Sequence, residues 1–151
     1  MKQRVCVPWA QSEDGLPTEY SIYGSPLDVD ALLKKARPRG QLRVWRQGDA
    51  AEFGPATTSG IAVPVFEGTS TKALFRAVKG FLVRERAFLK AATRLSGPAV
   101  QQGLNTTVFV RSGHVPVGLE LPASLMSLAA ERCVPWSIMC IPCTKDGDVA
   151  V

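Results

Sequence analysis

Three of the four cysteines lie in one stretch, Cys133 to Cys143, with the sequence CVPWSIMCIPC. Cys140 and Cys143 are separated by two residues, a spacing found in zinc sites and in disulfide-exchange motifs. A structural zinc site needs four thiolate or imidazole ligands, commonly supplied as two close pairs. The remaining candidates are Cys133, Cys6 and the sole histidine, His114, and they form no second close pair.

The same stretch alternates as a β-strand does. Trp136, Ile138 and Cys140 would face one side of a sheet, and the residues between them would face the other. A thioredoxin-type pair normally opens a helix, whose N-terminus lowers the thiol pKa, whereas this pair would end a strand. Because free cysteine packs as a small hydrophobe, we predict buried strand residues and no metal site. The alternative is a metal or redox role for Cys140, Cys143, Cys133 and His114.

No other pattern in the chain is typical of catalysis. His114 falls in a predicted turn, and a general base there would need a carboxylate or nucleophile brought close by the fold. The sequence contains no glycine-rich phosphate loop, no HExxH motif and no Ser/His/Asp order that can be singled out. We therefore expect a non-enzymatic protein without a cofactor.

The strongest surface feature is a row of basic residues in the middle of the chain. At 100° per residue, six of them fall within about 80° of one another on the side of a predicted helix opposite its apolar residues. They are Lys72, Arg76, Lys79, Arg86, Lys90 and Arg94. The only acidic residue in this segment is Glu85. A helix exterior that serves only solvation usually mixes both signs, because like charges at i,i+4 repel. We therefore predict a partner-binding surface; the alternative is a face that serves only solvation.

The charge of this surface restricts the kind of partner. The chain carries a net charge of +5 and has a pI of about 9.3. An acidic protein is the expected partner, and nucleic acid is the alternative, since phosphates also pair with Lys and Arg. The aromatic residues of the helix belong to its core side, so they offer no stacking platform. Trp45, beside Arg43 and Arg46, is a second candidate contact point.

Periodicity and turn residues predict the elements that position these side chains. Residues 19–23, 41–47 and 61–66 are expected to be strands, and Pro64 places the third at a sheet edge or a bulge. Residues 48–60 are expected to form a loop. A capped helix is expected to begin near Ser25, and one continuous helix is expected over residues 72–95. A hairpin over 105–121, a helix opened by Pro122 and a final strand follow.

This order predicts an α+β fold, a two-layer sandwich with a mixed or antiparallel sheet, one long central helix and two short helices. We expect a single domain over residues 1–151, with an N-terminal segment over 1–18 and a flexible polar tail over 144–151. No apolar run is long enough to span a bilayer. We expect a cytoplasmic protein with no membrane partner, as a monomer or a homodimer through the 61–66 edge.

Three stretches resemble an uncharacterised bacterial domain family, domain of unknown function four-two-seven-nine. They are YSIYGSPLDVDAL, VWRQGD and VGLELPASLMSLAAERCVPWSIMCI. The resemblance spans about residues 19–143 and consists mostly of hydrophobic spacing. It implies a strand leading into an Asp-containing helix start, a long middle helix and a closing strand–helix–strand unit. Some members of that family are thought to neutralise toxins, so the resemblance implies an immunity-type or inhibitor protein. It carries over no catalytic residues.

Overall fold

The computed structural model describes residues 15–111 and 120–143. It is an α+β two-layer sandwich, as predicted, with a mixed five-stranded sheet and four helices. A single cluster of buried residues joins all four helices to one face of the sheet. The described residues thus share one hydrophobic core, and the other face of the sheet carries no helix of the described part.

The elements follow the predicted order, with two short strands added and the predicted central helix divided into two. The helices are α1 (Val29–Lys35), α2 (Thr71–Arg84), α3 (Arg86–Leu95) and α4 (Ala123–Glu131). The strands are β1 (Thr18–Gly24), β2 (Arg43–Trp45), β3 (Ala50–Ala51), β4 (Gly54–Pro55), β5 (Ser59–Phe66), β6 (Gln101–Arg111) and β7 (Trp136–Cys143). The segment predicted as a loop, 48–60, therefore contains the small β3–β4 hairpin as well as the start of β5.

The strand order in the main sheet is β2-β5-β1-β6-β7. All neighbouring pairs are antiparallel except β6 and β7, which run parallel. The connection between these two passes through α4, as a parallel pair requires a crossover. β1 lies at the centre of the sheet, and its buried Tyr20 and Ile22 point into the helix layer.

The first helix begins later than predicted. Asp28 is its N-cap, and the Asp28 side chain accepts a hydrogen bond from the Ala31 N–H at 3.0 Å. Ser25 and Pro26 belong to the turn before it. Asp and Ser are both strong N-cap residues, so the spacing alone did not decide between Ser25 and Asp28. Val29 and Leu32 then bury the inner side of this short helix.

The prediction that residues 61–66 lie at a sheet edge is wrong, because β5 is internal, between β2 and β1. The alternative that Pro64 indicated, a bulge, is confirmed. The register shifts between Thr18 and Glu19, whose partners on β5 are Phe66 and Pro64. Pairing with β2 covers only residues 60–62 of β5, so the proline stands where no neighbour on that side needs its N–H. Of the edge through which a homodimer was expected, residues 61 and 62 are paired on both sides, whereas residues 63–66 have no described strand on the β2 side.

The prediction of one continuous helix over residues 72–95 is also wrong. The helix is interrupted at Glu85, where φ is −95° and ψ is 22° instead of helical values. Glu85 falls on the core side of the helix at 100° per residue and is 3% exposed. A buried carboxylate needs hydrogen-bond partners. Its Oε1 accepts from the Arg39 N–H and from Arg84 Nε, both at 3.1 Å.

The cysteine-rich segment is a strand, as predicted, but the prediction that its cysteines are buried is wrong for Cys140. Cys140 lies in β7 and is exposed. The reason is position, since β7 is the last strand of the sheet and is paired with β6 along one side. Cys133 is exposed too, in the turn after α4, where its φ is +54°.

Several predictions fall outside the described residues. These are the turn at His114, most of the second hairpin strand, and the N-terminal and C-terminal segments over 1–14 and 144–151. Pro122 does open the third predicted helix, α4, in which Leu125 and Ala129 are buried. No helix of the described part is long and apolar enough to cross a membrane.

Candidate functional site

The six predicted basic residues are all exposed. They form two triplets, one on each side of the break at Glu85, and we call the two together the basic helix face. Lys72, Arg76 and Lys79 lie on α2, and Arg86, Lys90 and Arg94 lie on α3. Within residues 15–111 and 120–143, none of the six makes an ion pair or a side-chain hydrogen bond. Their charges are therefore directed to solvent.

The core side of the two helices fixes where the triplets lie. Phe81 of α2 and Phe88 of α3 both pack on the ring of Tyr20, with centroids 5.6 and 5.8 Å away. The Tyr20 hydroxyl donates a hydrogen bond of 2.6 Å to Gln102 Oε1 on β6. Burial raises the pKa of that hydroxyl, so it stays protonated and can donate. One buried ring in the central strand thus holds both helices.

Two other parts of the fold form hydrogen bonds with the junction between the two helices. The Glu85 carboxylate holds the loop after α1 through the Arg39 N–H. In an unbroken helix the Leu82 carbonyl would accept from the Arg86 N–H, but it accepts instead from Arg132 Nε at 3.2 Å. Arg132 is the C-cap residue of α4. The break is consequently a bonded feature of the fold, in which the freed Leu82 carbonyl has a new partner.

The only carboxylate in residues 71–95 is therefore withdrawn from the surface. Seven basic residues and one acidic residue lie in this segment. Glu85 is buried, and the guanidinium it contacts belongs to Arg84, which is not part of the basic helix face. The exposed side of the two helices is left with cations alone among its charged residues, which concentrates a positive potential there.

An apolar side chain lies within this basic surface. Val83 is 56% exposed and follows Lys79 by one helical turn. Gly80, three residues before Val83, has open space where a Cβ would stand, with no atom within 4 Å. Ala87, in the first turn of α3, is exposed as well. Val83 thus lies among the cations of the basic helix face, while Gly80 and Ala87 lie along one side of it at 100° per residue.

The second predicted contact point, around Trp45, differs from the basic helix face because its arginines are bonded to other residues of the chain. Arg46 makes two hydrogen bonds to Asp30, of 2.6 and 3.3 Å, and its backbone N–H donates to Asp49. The Arg46 guanidinium holds the pKa of Asp30 below its ordinary value. These bonds join β2 to α1 and to the loop before the β3–β4 hairpin. Arg46 is therefore already bonded within the fold.

Its neighbours on β2 are engaged as well. Arg43 lies 3.6 Å from Glu19 and 5.6 Å from the Trp45 ring centroid, within the range of a cation–π contact. The Trp45 ring covers Gly60, whose missing Cβ would stand 2.1 Å from ring carbon Cζ2. We call Arg43, Trp45 and Arg46 the β2 edge. Its side chains contact one another and their neighbours, so they stabilise the sheet margin.

The structure does not bring metal ligands together in the described part of the chain. Over residues 15–111 and 120–143, no three His, Cys, Asp or Glu side chains form a group that would hold an ion. Cys133 borders a shallow hollow of about 400 Å³, whose described lining is otherwise aliphatic, proline and tryptophan. Among those residues no histidine or carboxylate stands beside the thiol to activate it. The hollow does not have the composition of an acid–base site.

The burial of Glu85 was not predicted from the sequence, and Val83 was not singled out on the basic helix face. The helical period nevertheless marks both residues as exceptions. Glu85 is a charged residue on the apolar side of an amphipathic helix, which indicates a buried bond or a break. Val83 is an apolar, β-branched residue on the polar side, where the other positions of the row are basic. Both signals come from the same 100° periodicity that identified the basic residues.

Comparisons of the chain with protein-family models, with curated proteins and with solved structures find no match. The resemblance to domain of unknown function four-two-seven-nine, and the immunity-type role that it implies, stay predictions.

Proposed function

We propose that this protein is a non-enzymatic binding domain that associates with an acidic protein through the basic helix face. Its six exposed cations, with no ion-pair partner among the described residues, supply the charge complementarity. They would steer the encounter and fix the register of the complex. An immunity-type or inhibitor protein would work in this way, by occupying its partner without chemistry.

The observation that carries this proposal is the exposure of Val83 within the basic helix face. Protein–protein interfaces combine an apolar centre with a polar, charged rim. A nucleic-acid backbone needs cations and gains little from an aliphatic side chain at their centre. Aromatic stacking, which single strands use, has no counterpart here, because Phe81 and Phe88 are buried. An acidic protein therefore accounts for both the charges and Val83.

The test compares two double variants that each remove two positive charges. Arg86→Gln/Lys90→Gln alters the basic helix face, and Arg43→Gln/Arg46→Gln alters the β2 edge. Tagged proteins are retrieved from their native cells after nuclease treatment, and the retained partner is quantified by mass spectrometry. We expect the first variant to lose the partner and the second to retain it. Retention by both variants, or loss of all bound material on nuclease treatment, would refute the proposal.

A further inference from the structure

A glycine that the isolated fold does not require lies beside the basic helix face. Gly80 lies in the interior of α2, where glycine destabilises a helix relative to alanine. A Cβ at this position would meet no atom within 4 Å. Glycines at close approaches within the fold look different: at Gly60 a Cβ would collide with Trp45, and at Gly24 with the Ala99 carbonyl. Packing inside the chain thus explains why Gly24 and Gly60 are glycines, but it gives no reason for a glycine at position 80.

The surroundings of Gly80 give its position a specific shape. Arg76 precedes it by one turn and Val83 follows it by three residues, so both side chains flank it on the helix surface. The missing side chain leaves a depression beside Val83, and cations border it on the α2 side. We call Gly80 and Val83 the apolar notch. A surface of this form lets another chain come close to the helix backbone while its charged groups reach the arginines and lysines.

We infer that the partner presents an apolar side chain between carboxylates, and that this side chain packs against Val83 over Gly80. The inference rests on the proposed function, since it names the chemistry of the segment that the basic helix face would bind. The carboxylates would pair with Arg76, Lys79 and Arg86. The apolar side chain would remove the exposed part of Val83 from water, which long-range charge attraction does not do.

A peptide selection can determine which residue types this surface binds before the natural partner is identified. Wild-type protein is immobilised and used to select from a displayed peptide library of unbiased composition in nuclease-treated buffer. We expect the enriched peptides to combine acidic residues with one apolar residue between them. The affinities of synthetic copies are then measured by calorimetry against wild type and four variants: Gly80→Ala, Val83→Ser, Arg86→Gln/Lys90→Gln, and Gly97→Ala as the matched control.

The control glycine is exposed and also has open space where a Cβ would stand, but it lies after α3 and outside the basic helix face. Gly80→Ala and Val83→Ser are each expected to weaken binding about fivefold or more, within the range of interface side chains that matter. Gly97→Ala is expected to bind as wild type does. The melting temperature of Gly80→Ala should equal or exceed that of wild type, which separates a binding defect from a folding defect.

Three other outcomes are possible, of which the first would refute only the apolar notch and the other two the proposed function. If acidic peptides bind and depend on Arg86 and Lys90 but ignore Gly80→Ala and Val83→Ser, the apolar notch is not a contact and the proposed function stands. If the selected peptides are not acidic, or bind equally well to Arg86→Gln/Lys90→Gln, the proposed function itself fails. Duplex DNA that competes for the same surface, while no acidic peptide is enriched, would assign the face to nucleic acid instead.

Discussion

The basic helix face and the β2 edge have similar compositions and opposite relations to the rest of the fold. Both were predicted from clustered Arg and Lys residues. At the β2 edge, Arg46 is bonded to Asp30, and Arg43 stands near Glu19 and over Trp45. On the basic helix face no cation has such a partner among the described residues. The difference teaches that a local carboxylate decides whether a basic cluster stabilises the fold or remains available for another molecule.

The largest expected effect concerns Glu85, the carboxylate that separates the two triplets. Glu85→Ala should lower the free energy of unfolding by about 3 kcal/mol, the low end for breaking a buried ion pair, because Arg84 is half exposed. It would also leave the Arg39 N–H without its acceptor in the fold. Urea unfolding followed by circular dichroism measures this loss.

Peptide binding by the same variant tests whether Glu85 affects the charge of the basic helix face. If Glu85 serves the fold alone, Glu85→Ala should not strengthen the binding of acidic peptides under conditions where the variant is folded. A small change in stability combined with tighter peptide binding would show that Glu85 normally neutralises the basic helix face. The two regions would then differ less than the structure indicates.

A pair of glycine substitutions gives an effect of intermediate size and opposite sign in the two regions. Gly60→Ala should destabilise the protein by about 2 kcal/mol, because the new methyl group forces the Trp45 ring away from the sheet. Gly80→Ala should stabilise it by about 1 kcal/mol, because a helix interior favours alanine and nothing obstructs it. Thermal and urea unfolding of both variants measure the two changes. Equal signs would contradict the assignment of Trp45 to the fold and of Gly80 to the surface.

The smallest expected effect is a dependence on pH at the β2 edge. Burial raises the pKa of Glu19 above its ordinary value of 4.5, and this outweighs the opposite influence of Arg43. Because the folded-state pKa is raised, Glu19 contributes stability that is fully present below pH 4.5 and is lost as the pH rises through the folded-state value. The stability of wild type relative to Glu19→Gln should therefore fall between pH 4 and neutrality.

Urea unfolding of both proteins across that pH range tests the sign. A difference that grows with pH would mean that the attraction of Arg43 exceeds the effect of burial. An unchanged difference would mean that Glu19 has the same pKa in both states. The first outcome would show that the ionised carboxylate of Glu19 stabilises the sheet margin through Arg43, and the second that its ionisation does not affect the fold.

The sequence predicted those parts of the fold that depend on local patterns. The α+β architecture, the helix opened by Pro122 and the bulge at Pro64 all follow from period, turn residues and backbone chemistry. What failed depends on contacts between distant residues. The break at Glu85 requires Arg39, and the exposure of Cys140 requires knowing that β7 is the last strand of the sheet. No local pattern contains that information.

The candidate site divides in the same way. Exposure of the six basic residues followed from helical period alone, since the side opposite an apolar row faces water. Whether a cation already has a partner does not follow from period, because Asp30 lies 16 residues before Arg46 and Glu19 lies 24 before Arg43. The resemblance to a known family did not supply these contacts either, as it rests on hydrophobic spacing.

The single tyrosine ring that both central helices share has a consequence for how this protein would bind. Phe81 and Phe88 contact the same Tyr20 ring, and its hydroxyl is bonded to the neighbouring strand. The two helices are thereby pre-organised, so the backbone of the docking surface has little conformational entropy left to lose on association. Complex formation would then restrict mainly the long, solvated side chains, and its affinity would respond more to their chemistry than to any rearrangement of the protein.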